Sequence, residues 1–213
     1  MCGITNSYDA EEGVLAGVDA LGFIFVEESP RHVSPENARG IIANLPPFVD
    51  CVGVFVDRDP KEIEEIIAYC GLSYAQLHGS EDPKYCERLA RLSAPCKVIK
   101  AFRVGGETQG DLFTPYDEVA QGVLLDTYSK GIAGGTGMVF DWRIIDRLRL
   151  QLPVILAGGL DPSNVREAIR QVRPFAIDVN SGVERTPGMK DEKKLHAFME
   201  QVRLADQDQV LQE

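Results

Sequence analysis

Val154-Ile155-Leu156-Ala157-Gly158-Gly159-Leu160-Asp161-Pro162 is the stretch on which the reading of the fold turns. It opens with an apolar run, Val154–Leu156, with no polar residue inside it. Such a run fits a strand covered on both faces, the usual state of a strand in a parallel sheet. Two glycines follow, then Asp-Pro, a pair that opens helices: Asp caps the first turn, and Pro lacks an N–H where none is needed. Strand, glycine loop and helix start stand in a row, which is one β–α unit of a parallel α/β fold.

The same unit recurs on either side. Strand candidates are Asp19–Val26, Val49–Val56, Tyr74–Leu77, Val98–Phe102, Gly122–Leu125 and Phe175–Val179, besides Val154–Leu156. Helix starts lie between them at Ser34-Pro35-Glu36, Asp59-Pro60, Glu81-Asp82-Pro83 and Asp141 or Trp142, with a last helix over Lys190–Val202. Glu107–Glu118 holds only a short helix, because glycine, threonine and Pro115 interrupt it. At the front, Asp9–Gly17 reads as a helix, which leaves Met1–Ile4 as the strand before it. Eight such units close most simply as a (β/α)₈ TIM barrel, here with a shortened first strand. An open doubly wound sheet is the structural alternative. Residues 1–204 are expected to form the barrel, and residues 205–213 a polar C-terminal tail that frays beyond Val202.

The 213 residues carry a formal net charge of −11, which repels a polyanion such as nucleic acid. No apolar run reaches the ~18–20 residues needed to span a bilayer, so no membrane partner is expected. Cys2, Cys51, Cys70, Cys86 and Cys96 are scattered and odd in number, as suits free thiols in a reducing compartment. A signal-like start is absent, and the expected location is cytoplasmic. Neither the cysteines nor His32, His78 and His196 show metal-ligand spacing, so no metal is expected.

In a TIM barrel the active site forms at the C-terminal ends of the strands. The residues just beyond each expected strand are Cys2-Gly3, Ser29-Pro30-Arg31, Asp57, His78-Gly79, Arg103, Asp126, Gly158-Gly159 and Asn180-Ser181-Gly182. Phosphate sites in this fold are often built from the last two loops. Gly158, Gly159, Asn180, Ser181 and Gly182 are the phosphate-binding candidates, because glycine lets backbone N–H groups approach an anion closely. Gly134-Gly135-Thr136-Gly137 lacks the ending of a P-loop and reads as a lid or as a flexible connector.

These segments in order resemble the phosphoribosylanthranilate isomerase family. The resemblance rests on Cys2-Gly3-Ile4-Thr5, Leu21-Gly22-Phe23-Ile24-Phe25, Ser29-Pro30-Arg31, Val52-Gly53-Val54-Phe55-Val56 and Gln76-Leu77-His78-Gly79. It continues through Leu125-Asp126, Gly134-Gly135-Thr136-Gly137 with Phe140-Asp141-Trp142, Ala157-Gly158-Gly159-Leu160 and Asp178 through Glu184, from Cys2 to about Phe198. It implies a TIM-barrel isomerase of tryptophan biosynthesis. The reaction implied is the Amadori rearrangement of N-(5-phosphoribosyl)anthranilate to 1-(2-carboxyphenylamino)-1-deoxyribulose 5-phosphate.

By that resemblance Asp126 is the general acid and Cys2 the general base. Arg31 is a candidate for the anthranilate carboxylate, and His78 and Asp178 are candidates for further substrate contacts. An acid and a base suffice, so no cofactor is expected. Asp126 needs a raised pKa, and Cys2 a lowered one or a minor thiolate population. Arg103 and Lys130 would add positive potential for an anionic ligand. The family usually carries residues before its cysteine, including a basic one, and more often serine where Asn180 stands. Met1 directly precedes Cys2, so a base on a frayed end and reduced turnover are expected. The rivals are another phosphosugar barrel enzyme and a non-catalytic phosphosugar-binding barrel. The partner is a small phosphorylated molecule, and the chain is a monomer or homodimer.

Overall fold

A computed structural model describes residues 1–126 and 142–210. Seven parallel strands pair in sequence order: β1 (Ala20–Ile24), β2 (Asp50–Phe55), β3 (Tyr74–Leu77), β4 (Lys97–Arg103), β5 (Gly122–Asp126), β6 (Val154–Ala157) and β7 (Ala176–Ile177). Each lies within a residue or two of the stretch expected from its apolar run. Met1–Ile4 closes the ring. Ile4 N donates to Gly22 O and Gly22 N to Met1 O, both at 2.9 Å, while Cys2 N donates to Val179 O at 2.9 Å. This segment, bonded on both sides, is the short eighth member of the barrel. The expected frayed end is not found: the Met1 amino group donates to Ala20 O at 2.8 Å, and Met1 through Ile4 are buried.

Helices cover the outside: α1 (Ser7–Ala16), α2 (Pro35–Ile42), α3 (Pro60–Cys70), α4 (Pro83–Leu92), α5 (Arg143–Leu148), α6 (Val165–Val172) and α7 (Glu192–Val210). Ser34, Asp59 and Asp82 cap the helices that follow them by accepting from Asn37, Lys61 and Tyr85 N. Between β4 and β5 the chain makes only two short 3₁₀ turns, Gly110–Leu112 and Thr114–Tyr116. Asp161-Pro162 does not open α6. Asn164 returns its Oδ1 to Asp161 N at 2.9 Å and forms a turn, and the helix starts at Val165. α7 continues past Val202 to Val210, with Ala205 buried and Asp208 paired to Arg166 at 2.8 Å.

The main apolar core lies between sheet and helices, with Leu21, Phe23, Phe55, Leu77, Val98, Val123, Leu125 and Leu156 pointing outward into it. Inside the ring, Ile99, Ala101, Leu124 and Ala157 form one cluster, and Cys2, Ile24 and Val54 another. A cavity of about 320 Å³ reaches from the strand starts to Cys2 and Asp178. The ring therefore places Cys2 on the barrel's inner wall, beside Ile24 and Val54.

Candidate active site

Cys2 sits between β1 and the residues after β7. Gly22 faces it across the pair: a Cβ there would lie 2.9 Å from Cys2 Sγ and 3.0 Å from its Cα. The glycine is the space the cysteine occupies. Burial, reinforced by the carboxylate of Asp178, pushes the Cys2 thiol up to about 12, against the weaker pull of the amino terminus and Lys190. Of the two expectations, a lowered pKa and a minor thiolate population, the lowering is not found. Desolvation of the charged form outweighs the neighbouring cations, so the resting residue is a thiol.

Asp126 ends β5, separated from the Cys2 segment by β6 and β7. Its carboxylate lies 3.8 Å from Nε2 of His78, the first residue after β3. Both are partly open, at 22% and 25% exposure, as groups lining a mouth must be. His78 Nδ1 is 3.3 Å from Gln76 Nε2, which fixes the ring. Asp178 follows β7, is half-buried, and anchors its backbone N–H on Leu156 O at 2.8 Å.

The two glycine loops adjoin. Gly158 and Gly159 adopt φ of 88° and 66°, the left-handed region that glycine enters without strain. Ser181–Val183 forms a 3₁₀ turn, and a Cβ on Gly182 would lie 1.9 Å from Leu160 O, so glycine is needed where the loops touch. The backbone of both loops is thereby brought to one side of the mouth. Gly134–Gly137 and Lys130 lie outside the described residues.

Arg31 is held rather than free. Its Nε donates to Glu184 Oε1 and Oε2 at 2.9 and 3.1 Å, and its Nη2 to Oε2 at 2.7 Å. Glu184 also accepts from Lys190 Nζ at 3.2 Å. Burial opposes ionisation of Glu184, yet these cations hold its carboxyl below the usual range. Lys190 Nζ further donates to Asn180 Oδ1 at 3.1 Å and Asn180 O at 3.3 Å. That bond fixes the amide by its oxygen.

Sequence reasoning gave Glu184 and Lys190 no role, although a signal was present. Thr186-Pro187-Gly188 is turn chemistry. It joins β8 (Glu184–Thr186) to β9 (Met189–Lys190), with Glu184 and Lys190 paired across the hairpin. A second buried ion pair was equally silent. Lys100 Nζ lies 3.1 Å from Glu81 Oε2 and donates to Leu77, Gly79 and Ala101 carbonyls. Glu81 in turn accepts from Asp57 N and Gly79 N, each at 2.9 Å. This pair ties together the loops after β2 and β3, including the one that carries His78.

His78, Asp126, Asp178 and the Gly158-Gly159 loop thus stand at the C-terminal ends of their strands, and Cys2 lies on the segment between β1 and the residues after β7. Comparison with known proteins shows the family. The family profile of N-(5'phosphoribosyl)anthranilate (PRA) isomerase matches residues 1–201. The chain is 49% identical to the N-(5'-phosphoribosyl)anthranilate isomerase of Geobacter metallireducens, over 95% of its own length and 97% of the relative's. Among solved structures, the phosphoribosyl anthranilate isomerase of Thermotoga maritima superposes with a TM-score of 0.85 at 44% identity, covering 95% of this chain and 97% of that one. A phosphoribosyl anthranilate isomerase in complex with reduced 1-(o-carboxyphenylamino)-1-deoxyribulose 5-phosphate gives 0.81 at 42% identity, covering 95% and 96%. On a profile spanning nearly the whole chain and near-half identity to such relatives, the chain belongs to the N-(5'-phosphoribosyl)anthranilate isomerase family.

Proposed function

We propose that this chain converts N-(5'-phosphoribosyl)anthranilate to 1-(2-carboxyphenylamino)-1-deoxyribulose 5-phosphate in tryptophan biosynthesis, with Asp126 as general acid and Cys2 as general base. The assignment of roles is supported by the placement of Asp126 at the end of β5, of Cys2 on the inner wall of the same barrel, and of the Gly158-Gly159 loop directly after β6.

Asp126 protonates the ring oxygen of the sugar while the anthranilate nitrogen pushes in its lone pair. The ring C–O bond breaks and an iminium forms. Cys2 then removes the proton from the second sugar carbon, and its electron pair flows to the nitrogen to give an enol-amine. Tautomerisation of the enol gives the ketone. Cys2, a thiol in its buried setting, releases its own proton to solvent as that cation forms beside it, and the thiolate is the base. A positive charge a few ångströms away favours the thiolate, and the iminium also acidifies the carbon to be deprotonated. Asp178, close enough to act on Cys2, is placed to face the same cation. Arg31 takes the anthranilate carboxylate through the edge of its guanidinium that Glu184 leaves open, and the Gly158-Gly159 and Asn180-Ser181-Gly182 loops take the phosphate. His78 supports the substrate beside Asp126.

The barrel proper is taken as residues 1–204, with 205–213 as its polar extension, and the protein as cytoplasmic, a monomer or a homodimer. The non-catalytic reading loses its support, since the segment bearing Cys2 is pinned on both sides. Turnover of freshly made N-(5'-phosphoribosyl)anthranilate should fall at least ~10²-fold in both Cys2→Ala and Asp126→Asn, the scale of lost acid–base catalysis. Unchanged turnover in either variant removes that residue's role.

A further inference from the structure

Lys190 takes no part in the mechanism above, yet its side chain is 1% exposed and lies where the two ends of the substrate site meet. An ammonium has three N–H donors and no acceptor. Here three oxygens receive it: Asn180 O at 3.3 Å, Asn180 Oδ1 at 3.1 Å and Glu184 Oε1 at 3.2 Å. Two belong to the loop assigned to phosphate, and the third to the carboxylate that grips Arg31. The backbone of Lys190 is fixed as well, its N–H donating to Asp9 Oδ2 at 2.8 Å.

We propose that Lys190 is a positioning residue that couples the carboxylate clamp to the phosphate loop, holding Arg31 competent through Glu184 and setting the loop through Asn180. The proposal rests on the roles given to Arg31 and Asn180 above.

The argument is one of charge. Arg31 and Glu184 alone form a neutral pair. A substrate carboxylate arriving at Arg31 would leave this largely buried group with an unbalanced negative charge, which is costly to desolvate. Lys190 brings the group of Arg31, Glu184 and Lys190 to a net positive charge, and the incoming carboxylate then neutralises it. The same ammonium holds the amide oxygen of Asn180 away from the loop's ligand face. Without it, that oxygen is free to turn toward a phosphate and repel it.

The two ends can be probed separately on the intact protein, with anthranilate for the clamp and inorganic phosphate for the loop. Arg31→Met should lose anthranilate and keep phosphate. Lys190→Met should weaken both probes by about tenfold or more, the scale of a lost charged hydrogen bond. Glu184→Gln keeps an amide oxygen for Arg31 and removes the charge that Lys190 balances, so it is the reference for the double variant. The double variant Lys190→Met/Glu184→Gln restores the net positive charge at Arg31. It should recover anthranilate binding to within about threefold of the parent while phosphate binding stays weak. A residue that merely supported the fold would not produce that split, because a second lesion would not repair the first. Should Lys190→Met fail to fold, the double variant against Glu184→Gln decides, since the two differ at Lys190 alone: phosphate must weaken and anthranilate must not. Loss of only one probe in Lys190→Met, or no recovery of anthranilate in the double variant, overturns the coupling. If Arg31→Met leaves anthranilate binding intact, the assignment of Arg31 itself falls and takes the proposal with it.

Discussion

Gly22 and Gly53 are neighbours in space with opposite consequences for substitution. A Cβ on Gly22 points at Cys2, including its backbone Cα at 3.0 Å, so the closing segment would have to move. A Cβ on Gly53 meets Leu72 Cδ1 at 2.6 Å and the Phe55 ring at 2.8 Å, on the outer side of the sheet. Overpacking of either kind costs about 1–3 kcal/mol. Only Gly22→Ala displaces the proposed base, however, and ~1 Å of misplacement can cost about a hundredfold in rate. Gly22→Ala should therefore lose at least ~10-fold in kcat/KM, while Gly53→Ala loses comparable stability and keeps its turnover per folded molecule. Steady-state kinetics beside urea unfolding of both variants check the contrast, and equal activity would detach Gly22 from the chemistry.

At the scale of elements, the strands were legible because each is buried on both faces and so reads as an unbroken apolar run. Tyr74–Leu77 was expected and found without a change of boundary. The start of α6 was not legible. Asp161, Ser163 and Asn164 all make local hydrogen bonds, and Asp161's carboxylate was spent on Ser163 at 2.5 Å and 2.7 Å instead of capping a helix. Candidate residues at strand ends could be found by position alone. The charges beneath them could not, because a buried lysine and an exposed one look the same in a sequence. The Lys100–Glu81 pair shows what that hides. Both side chains are almost fully enclosed, at 3% and 1% exposure. Removing one partner leaves an uncompensated buried charge and typically costs about 3–5 kcal/mol. Lys100→Met should destabilise by that order and raise hydrogen exchange at the Asp57 and Gly79 amides that Glu81 holds. Protection of those amides at the parent level would mean that Glu81 fixes the loops without Lys100.

For the whole molecule, the thiols set an alkaline limit. All five cysteines are buried. Burial pushes Cys2 up to about 12 and Cys51, Cys86 and Cys96 each to about 11, and raises Cys70 as well. In the unfolded chain a thiol ionises near ~8.5. Above that pH the unfolded state sheds protons that the fold keeps, so stability is lost as pH rises from about 8.5 toward 11. Tyr85, raised mainly by burial, adds to this trend, and Lys190, lowered by burial, opposes it. The urea midpoint should fall between pH 8 and pH 10.5, and fall less in a Cys51→Ala/Cys96→Ala variant; a level midpoint would contradict the burial of these groups. The closing segment has a consequence of another kind, concerning the order in which the molecule comes into being. Cys2 leaves the ribosome long before Val179, the carbonyl that receives its backbone N–H. Contacts so far apart along the chain form late and slowly. The segment that bears Cys2 waits for residues made much later before it has a place, and a nascent chain stopped anywhere short of residue 179 carries its thiol without the wall that keeps it protonated.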